Sequence, residues 1–215
     1  MKIVSFDLET TGLDLAKDDI VEIGAVCLGQ TFQAYLQPAV LIRPEATNIH
    51  GITKSRQGPL MLRGSFLKTQ SRTQGLIAFT RWLENISKGK GAVLVAHNCF
   101  GFDAPVLVNA FHKVGMRVPG VILGFADSLD LARSLRLPLP NHKLDTLMRF
   151  YLGVAQNEVH GALPDAQAVE DLILAFSGSV QLRFSSFALS LGFRTVTEVL
   201  GLGLAGNNVR DSWSG

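Results

Sequence analysis

Residues 92–98, AVLVAHN, are apolar without a break from Ala92 to Ala96. Successive side chains of a strand point to opposite faces, so an unbroken apolar run needs cover on both sides. A sheet with one wet face is thereby excluded, and helices are required above and below it. The neighbouring segments agree. Residues 2–8, 20–28 and 31–37 read as three strands, joined by a turn at Gly12–Asp14 and by a two-residue turn at Gly29–Gln30 that predicts a hairpin. Leu76, Phe79, Leu83 and Ile86 follow with helical spacing. After the 92–98 strand come a helix over 103–115, a strand over 120–126, and helices over 143–153 and 164–177. Pro164 suits a first helical turn and Gly178 a C-terminal cap. The prediction is an α/β fold: a five-stranded mixed sheet, three antiparallel strands then two parallel, flanked by helices on both faces. Residues 55–73, SRQGPLMLRGSFLKTQSRT, carry Gly, Pro and polar residues and read as an exposed loop.

With 215 residues, 47% apolar and 18% charged, the chain suits one packed domain and a short extension rather than wholesale disorder. The division falls at 1–177 for the domain and 178–215 for the extension, which reads as short helices and a loose end. The N-terminus enters a strand directly, with no signal-peptide pattern, and no apolar run approaches the roughly 20 residues of a membrane helix. The expectation is an intracellular protein of cytoplasm or nucleus, neither secreted nor membrane-bound. Cys27 and Cys99 have no metal-ligand spacing and read as small buried hydrophobes in a reducing compartment. A net charge of +2 is too small to imply a nucleic-acid partner by itself. Its distribution says more: no acidic residue lies between Glu45 and Glu84, where Lys54, Arg56, Arg63, Lys68, Arg72 and Arg81 all fall. A solvated basic loop accounts for that run as well as a phosphate contact does.

The stretch VSFDLETTG (4–12) breaks the rule of strand composition. Val4, Phe6 and Leu8 share one face, while Asp7 and Glu9 place two carboxylates on the other. Asp103 heads a helix whose stripe is Val106, Leu107, Ala110, Phe111 and Val114, and Asp165 shares a face with Val169, Leu172 and Phe176. Either aspartate alone reads as a helix-cap carboxylate near the positive end of the dipole. Four acids all turned inward do not. In a poorly solvated cleft they would protonate or unfold the site unless divalent cations neutralised them. Oxygen-only ligands favour Mg²⁺ or Mn²⁺ over Zn²⁺, and two such ions about 3.5–4 Å apart are the arrangement used for phosphoryl transfer.

FDLETTGL, LVAHNCFGFD and HGALPD resemble, in the right order, the three motifs of the D-E-D-D-h (DnaQ-like) 3′→5′ exonucleases. The resemblance covers about residues 1–177, with NIHGIT (48–53) placed as the family carries a similar segment, and it points to the TREX-like branch. RLPLPNH (136–142) is too short for the proline-rich insertion of that branch, and neither a proline-ligand partner nor a membrane anchor is expected. A looser resemblance, through FSSFALSL in the tail, is to the exonuclease-like end of a promyelocytic leukaemia protein isoform and its fish relatives. The main resemblance implies a ribonuclease H-like fold in which Asp7, Glu9 and Asp165 ligate two Mg²⁺ ions, for which Mn²⁺ can substitute, and Asp103 holds the second ion. It makes His160 the general base, since His stands five residues before Asp165 while the tyrosine branch needs Tyr at 161, which is Gly here. An imidazole titrating near pH 6.5 suits that task.

Substrate contacts implied by the resemblance are Thr10, Leu13 as a wedge against the terminal base, His50, Asn98 and Phe102. Core or loop packing accounts equally well for His50 and Phe102. The expected activity is release of nucleoside monophosphates from 3′ ends of DNA, single-stranded ends preferred. Rival readings are an exoribonuclease of the same fold, separated by its treatment of the 2′-hydroxyl, and an inactive nucleic-acid-binding module. By family analogy the chain forms a homodimer.

Overall fold

The structure is a computed structural model that describes residues 1–54, 58–136, 138–154, 160–179 and 192–199. The chain enters on β1 (Lys2–Thr10), returns antiparallel on β2 (Ile20–Cys27) and turns again into β3 (Gln30–Gln37). The hairpin turn falls on Leu28 and Gly29, one residue earlier than expected. Their φ values are 50° and 78°, and a type I′ turn needs positive φ at both central positions. The chain then passes through α1 (Pro44–His50) into a small sheet of β4 (Ile52–Lys54), β5 (Leu60–Leu62) and β6 (Ser65–Phe66), and on to β7 (Thr69–Ser71). The exposed loop predicted over 55–73 thus contains three short strands, which take up half of its described residues. Leu60 is fully buried beside Ile52 and Val21, and β7 pairs with β3. Its apolar anchors are too few and too widely spaced to give a period against Gly, Pro and polar neighbours.

The remaining elements are α2 (Arg72–Ser87), β8 (Ala92–Ala96), α3 (Asp103–Lys113), β9 (Ile122–Asp127), α4 (Ser128–Ser134), α5 (Leu144–Leu152) and α6 (Ala162–Ser179). A reciprocal capping box starts α2: the Ser71 hydroxyl accepts from the Gln74 N–H, and the Gln74 side chain accepts from the Ser71 N–H. The main sheet runs β7-β3-β2-β1-β8-β9. Its five expected strands have the expected senses, β1 to β3 antiparallel with β8 and β9 parallel to β1, and β7 adds a short sixth at one edge.

Strand alternation sorts the core into two layers. Val4, Phe6, Leu8 and Leu94 pack with Leu76, Phe79, Leu83, Leu107 and Phe111 from α2 and α3. Val93 and Val95 face the other way, onto Leu131, Leu147, Val169, Leu172 and Phe176 from α4, α5 and α6. The unbroken run of β8 thus has the double cover that its composition demands. On the second face the start of α6 lies directly on β2 at Gly24. A Cβ there would meet the Ala162 carbonyl carbon at 2.1 Å and the Leu163 nitrogen at 2.2 Å. Only a residue without a side chain admits this approach.

Past α6, residues 192–199 return to the domain. Arg194 bridges Phe125 of β9 in antiparallel sense, its guanidinium lies 4.1 Å from the Phe100 ring centroid, and Val199 is buried in the first layer. FSSFALSL lies outside the described residues. Among the described residues no helix is long and apolar enough to cross a membrane, and Cys27 and Cys99 are free and buried.

Candidate active site

Asp7 and Glu9 lie on the α6 face of β1, opposite Gly24 and Glu22 of β2. The missing side chain at Gly24 lets α6 close over this pair, and Glu22 accepts a hydrogen bond from the first helical N–H, Ala162, at 3.3 Å. Those two contacts set Asp165, at the fourth position of α6, above the strand carboxylates. One ligand oxygen each from Asp7, Glu9 and Asp165 lies within 4.8 Å of the others. Asp103 starts α3 and is 3% exposed. It stays outside that triplet, yet its charge is the largest neighbouring influence on Asp7.

The electrostatics follow from this crowding. Burial, then the charges of Asp103, Glu9 and Asp165, push the Asp7 carboxyl well above the usual carboxylate range. Burial, with Asp165, Glu22 and Asp103 adding to it, pushes Glu9 up to about 9. Asp103 is also raised, chiefly by burial. A divalent cation is the partner that makes such a group of charges favourable. All the donors are oxygens, the chemistry that suits a hard cation.

His160 stands at the mouth of the cleft with its side chain 46% exposed. Its Nδ1 is 2.9 Å from Asp165 Oδ2, and this hydrogen bond raises its pKa against an opposing effect of burial. An imidazole held at Nδ1 presents Nε2 away from the carboxylate.

The five predicted substrate contacts divide. Leu13 is 52% exposed, and Asn98 is exposed at φ 64° with its amide beside Gly101. Thr10 is buried, its hydroxyl donating to the Gly12 carbonyl at 2.6 Å. Phe102 packs partly buried against the first core layer. His50 is 2% exposed with both ring nitrogens engaged, Nε2 at 3.1 Å from the Thr10 carbonyl and Nδ1 accepting from the Ile52 N–H at 3.0 Å. Burial lowers its pKa, so it is a neutral imidazole donating to Thr10. Its direct contacts are with the backbone beside Glu9.

Two buried acids that brace the site escaped the sequence reading. Glu22, raised by burial, receives Gln33 Nε2 at 2.7 Å as well as the α6 N–H. Asp127 accepts from the N–H groups of Asn98 (3.0 Å), Phe100 (3.2 Å) and Leu129 (2.9 Å), pinning the turn that leads into Asp103. Glu22 interrupts the apolar run IVEIGAVC as Asp7 interrupts its own strand, and that was its signal. Asp127 had none beyond its place before a helix start.

The sequence model of the RNase_T family, described as "Exonuclease", matches residues 4–172. This chain belongs to that exonuclease family. Its relatives include the DNA polymerase III epsilon subunit of Escherichia coli, 30% identical over 189 residues that cover 81% of this chain and 71% of that protein. The PolC-type DNA polymerase III of Caldanaerobacter subterraneus is 32% identical over 92% of this chain, which spans 12% of that polymerase. Exonuclease DPD1 of Arabidopsis thaliana, a chloroplast and mitochondrial protein, is 30% identical over 88% of this chain and 60% of its own length. The chain thus spans only part of the length of the PolC-type polymerase and of DPD1. Among solved structures, E. coli exonuclease I in complex with a dT13 oligonucleotide superposes with a TM-score of 0.68 at 19% identity, over 87% of this chain and 43% of that one. That likeness establishes the ribonuclease H-like exonuclease fold.

Proposed function

We propose that the chain is a metal-dependent 3′→5′ exodeoxyribonuclease that prefers single-stranded ends and releases nucleoside monophosphates. The observation that carries this reading is the convergence of Asp7, Glu9 and Asp165, with His160 hydrogen-bonded to the last of them. Kinship with the epsilon subunit and fold likeness to an exonuclease holding an oligonucleotide support DNA as the substrate. Asp7, Glu9 and Asp165 would hold two Mg²⁺ ions, or Mn²⁺ in their place, with Asp103 as support for the second. Bound there, the ions would supply the positive charge that stabilises the developing phosphorane and makes water acidic enough to attack at neutral pH.

The chain's own residues do the rest. His160 removes the proton of the attacking water at Nε2, while Asp165 fixes its tautomer and stabilises the imidazolium through Nδ1. The backbone at Thr10, steadied by His50, faces the terminal nucleotide, and exposed Leu13 rests against its base. Asp127 holds the Asn98–Phe102 turn so that Asp103 enters the cleft at the head of α3.

The test is hydrolysis of 5′-labelled single-stranded DNA and its RNA counterpart with Mg²⁺, Mn²⁺ or EDTA. A ladder shortening from the 3′ end of DNA, abolished by EDTA, is the expected result. Degradation of RNA alone would move the activity to ribonucleotides, and no ladder from either would overturn the enzymatic reading.

A further inference from the structure

The hairpin of β5 and β6 has no part in the chemistry above. Its two-residue turn is Arg63–Gly64, with φ of 49° and 82°. Positive φ is uncommon outside glycine, and here it sets an arginine at an exposed tip. Phe66 follows at 74% exposure, the highest of the exposed large hydrophobic side chains among the described residues. Lys68 comes next, also exposed. Among the described residues neither Arg63 nor Lys68 has an acidic partner, whereas Arg43, Arg72 and Lys113 are paired with Asp18 or Asp19.

The hairpin is anchored to the cleft by a short chain of contacts. Thr10, next to Glu9, is hydrogen-bonded through its carbonyl to His50, and His50 to the N–H of Ile52 at the start of β4. Thr53 then pairs with Met61, and Met61 with Phe66. Two interstrand steps, about 10 Å, separate Phe66 from Thr53. An aromatic ring between two unpaired cations, standing off the rim of a nuclease cleft, has the composition that binds a single strand by stacking and phosphate contact. A two-residue edge strand flanked by charge is, by contrast, a poor template for pairing with another chain.

We propose that the Arg63–Lys68 hairpin binds the single strand 5′ of the scissile nucleotide, Phe66 stacking on a base and Arg63 and Lys68 holding the adjoining phosphates. The direction of the strand rests on the exonuclease reading; the contact itself does not. It gives the enzyme a preference for long strands over short ends.

The experiment compares the full chain with Phe66→Ala and with the double substitution Arg63→Ala and Lys68→Ala, all at exposed positions. Hydrolysis of a long oligothymidylate is measured beside that of the p-nitrophenyl ester of thymidine 5′-monophosphate, which is too small to reach the hairpin. Affinity for fluorescent oligothymidylate is measured separately by anisotropy in EDTA. Phe66→Ala should lower both the affinity and kcat/KM on the long strand roughly tenfold, leaving ester hydrolysis unchanged. The double variant should reduce the slope of log affinity against log salt by about 1.4. Unchanged affinity and kcat/KM, or a loss shared equally by the ester, would overturn the proposal. So would a shift in elution volume with DNA affinity intact, which would make the hairpin a protein interface. Should the wild type hydrolyse neither substrate, the exonuclease reading fails while the anisotropy series still decides this one.

Discussion

Asp7 shows what a single residue costs a fold and what it makes possible. Its carboxyl is raised by burial and by four acidic neighbours, and burial pushes Glu9 beside it up to about 9. In an unfolded chain a glutamate titrates near 4.3, so between roughly these values the folded, metal-free protein holds protons that the unfolded chain has released. Stability of that form should fall as pH rises from about 5 towards 9. Divalent cations should reverse the trend, because binding expels the same protons and grows tighter with pH. Melting curves across this range, in EDTA and in Mn²⁺, would show the two slopes, and parallel slopes would contradict the ligand assignment. Asp7→Asn removes the repulsion. It should melt about 2–4 °C higher in EDTA, gain nothing from Mn²⁺ and hydrolyse no DNA. His160→Ala makes a contrasting prediction: unaltered stabilisation by metal with kcat lowered about 10²–10⁴-fold. Near-normal turnover in that variant would remove His160 as the base.

At the scale of elements, the site depends on how closely α6 lies on β2. Gly24→Ala would drive a methyl into the backbone at Ala162 and Leu163, neither of which is the yielding end of a side chain. The helix must move, costing about 1–3 kcal/mol. Asp165 moves with it, so kcat should fall further than stability does, on the order of 10²-fold. A variant that loses stability but keeps kcat would show that this contact does not position the carboxylate. Elements with a strong period were legible in the sequence: β1, β2, β3 and β8, and the helices α2, α3, α5 and α6. Two seven-residue helices, α1 and α4, present too few turns for a period to emerge. The β4-β5-β6 sheet was hidden because its two-residue and three-residue strands lie among turn residues. The four acids could be picked out because each occupies a position where its own element's pattern calls for an apolar side chain. The partners of Glu22 on β3 and α6, and the role of His50 as a prop for Thr10, depend on register between distant strands and on a packed loop. A linear pattern carries neither.

The whole molecule hides its sheet edges. At one side β7 is three residues long, and at the other the backbone of β9 is met at Phe125 by Arg194, both of whose hydrogen bonds to Phe125 are made. A chain ended at Ser179 would lose that cover, the Arg194–Phe100 contact and the buried Val199. Exposed edges invite pairing between copies. Such a truncation should keep its far-ultraviolet dichroism yet scatter light as a larger species than the full chain, and a monodisperse monomer would refute that role for residues 192–199. The carboxylate cluster has a consequence of another kind. It is drawn from β1, the first element of the chain, and from α6, the last element of the main fold. While the polypeptide is being synthesised, Asp7 and Glu9 emerge long before Asp165, and the proposed ligand set is incomplete until α6 has been made and has docked. Under the proposed mechanism a nascent chain should therefore spare any nucleic acid near it, hydrolytic competence arriving in the same step that completes the fold.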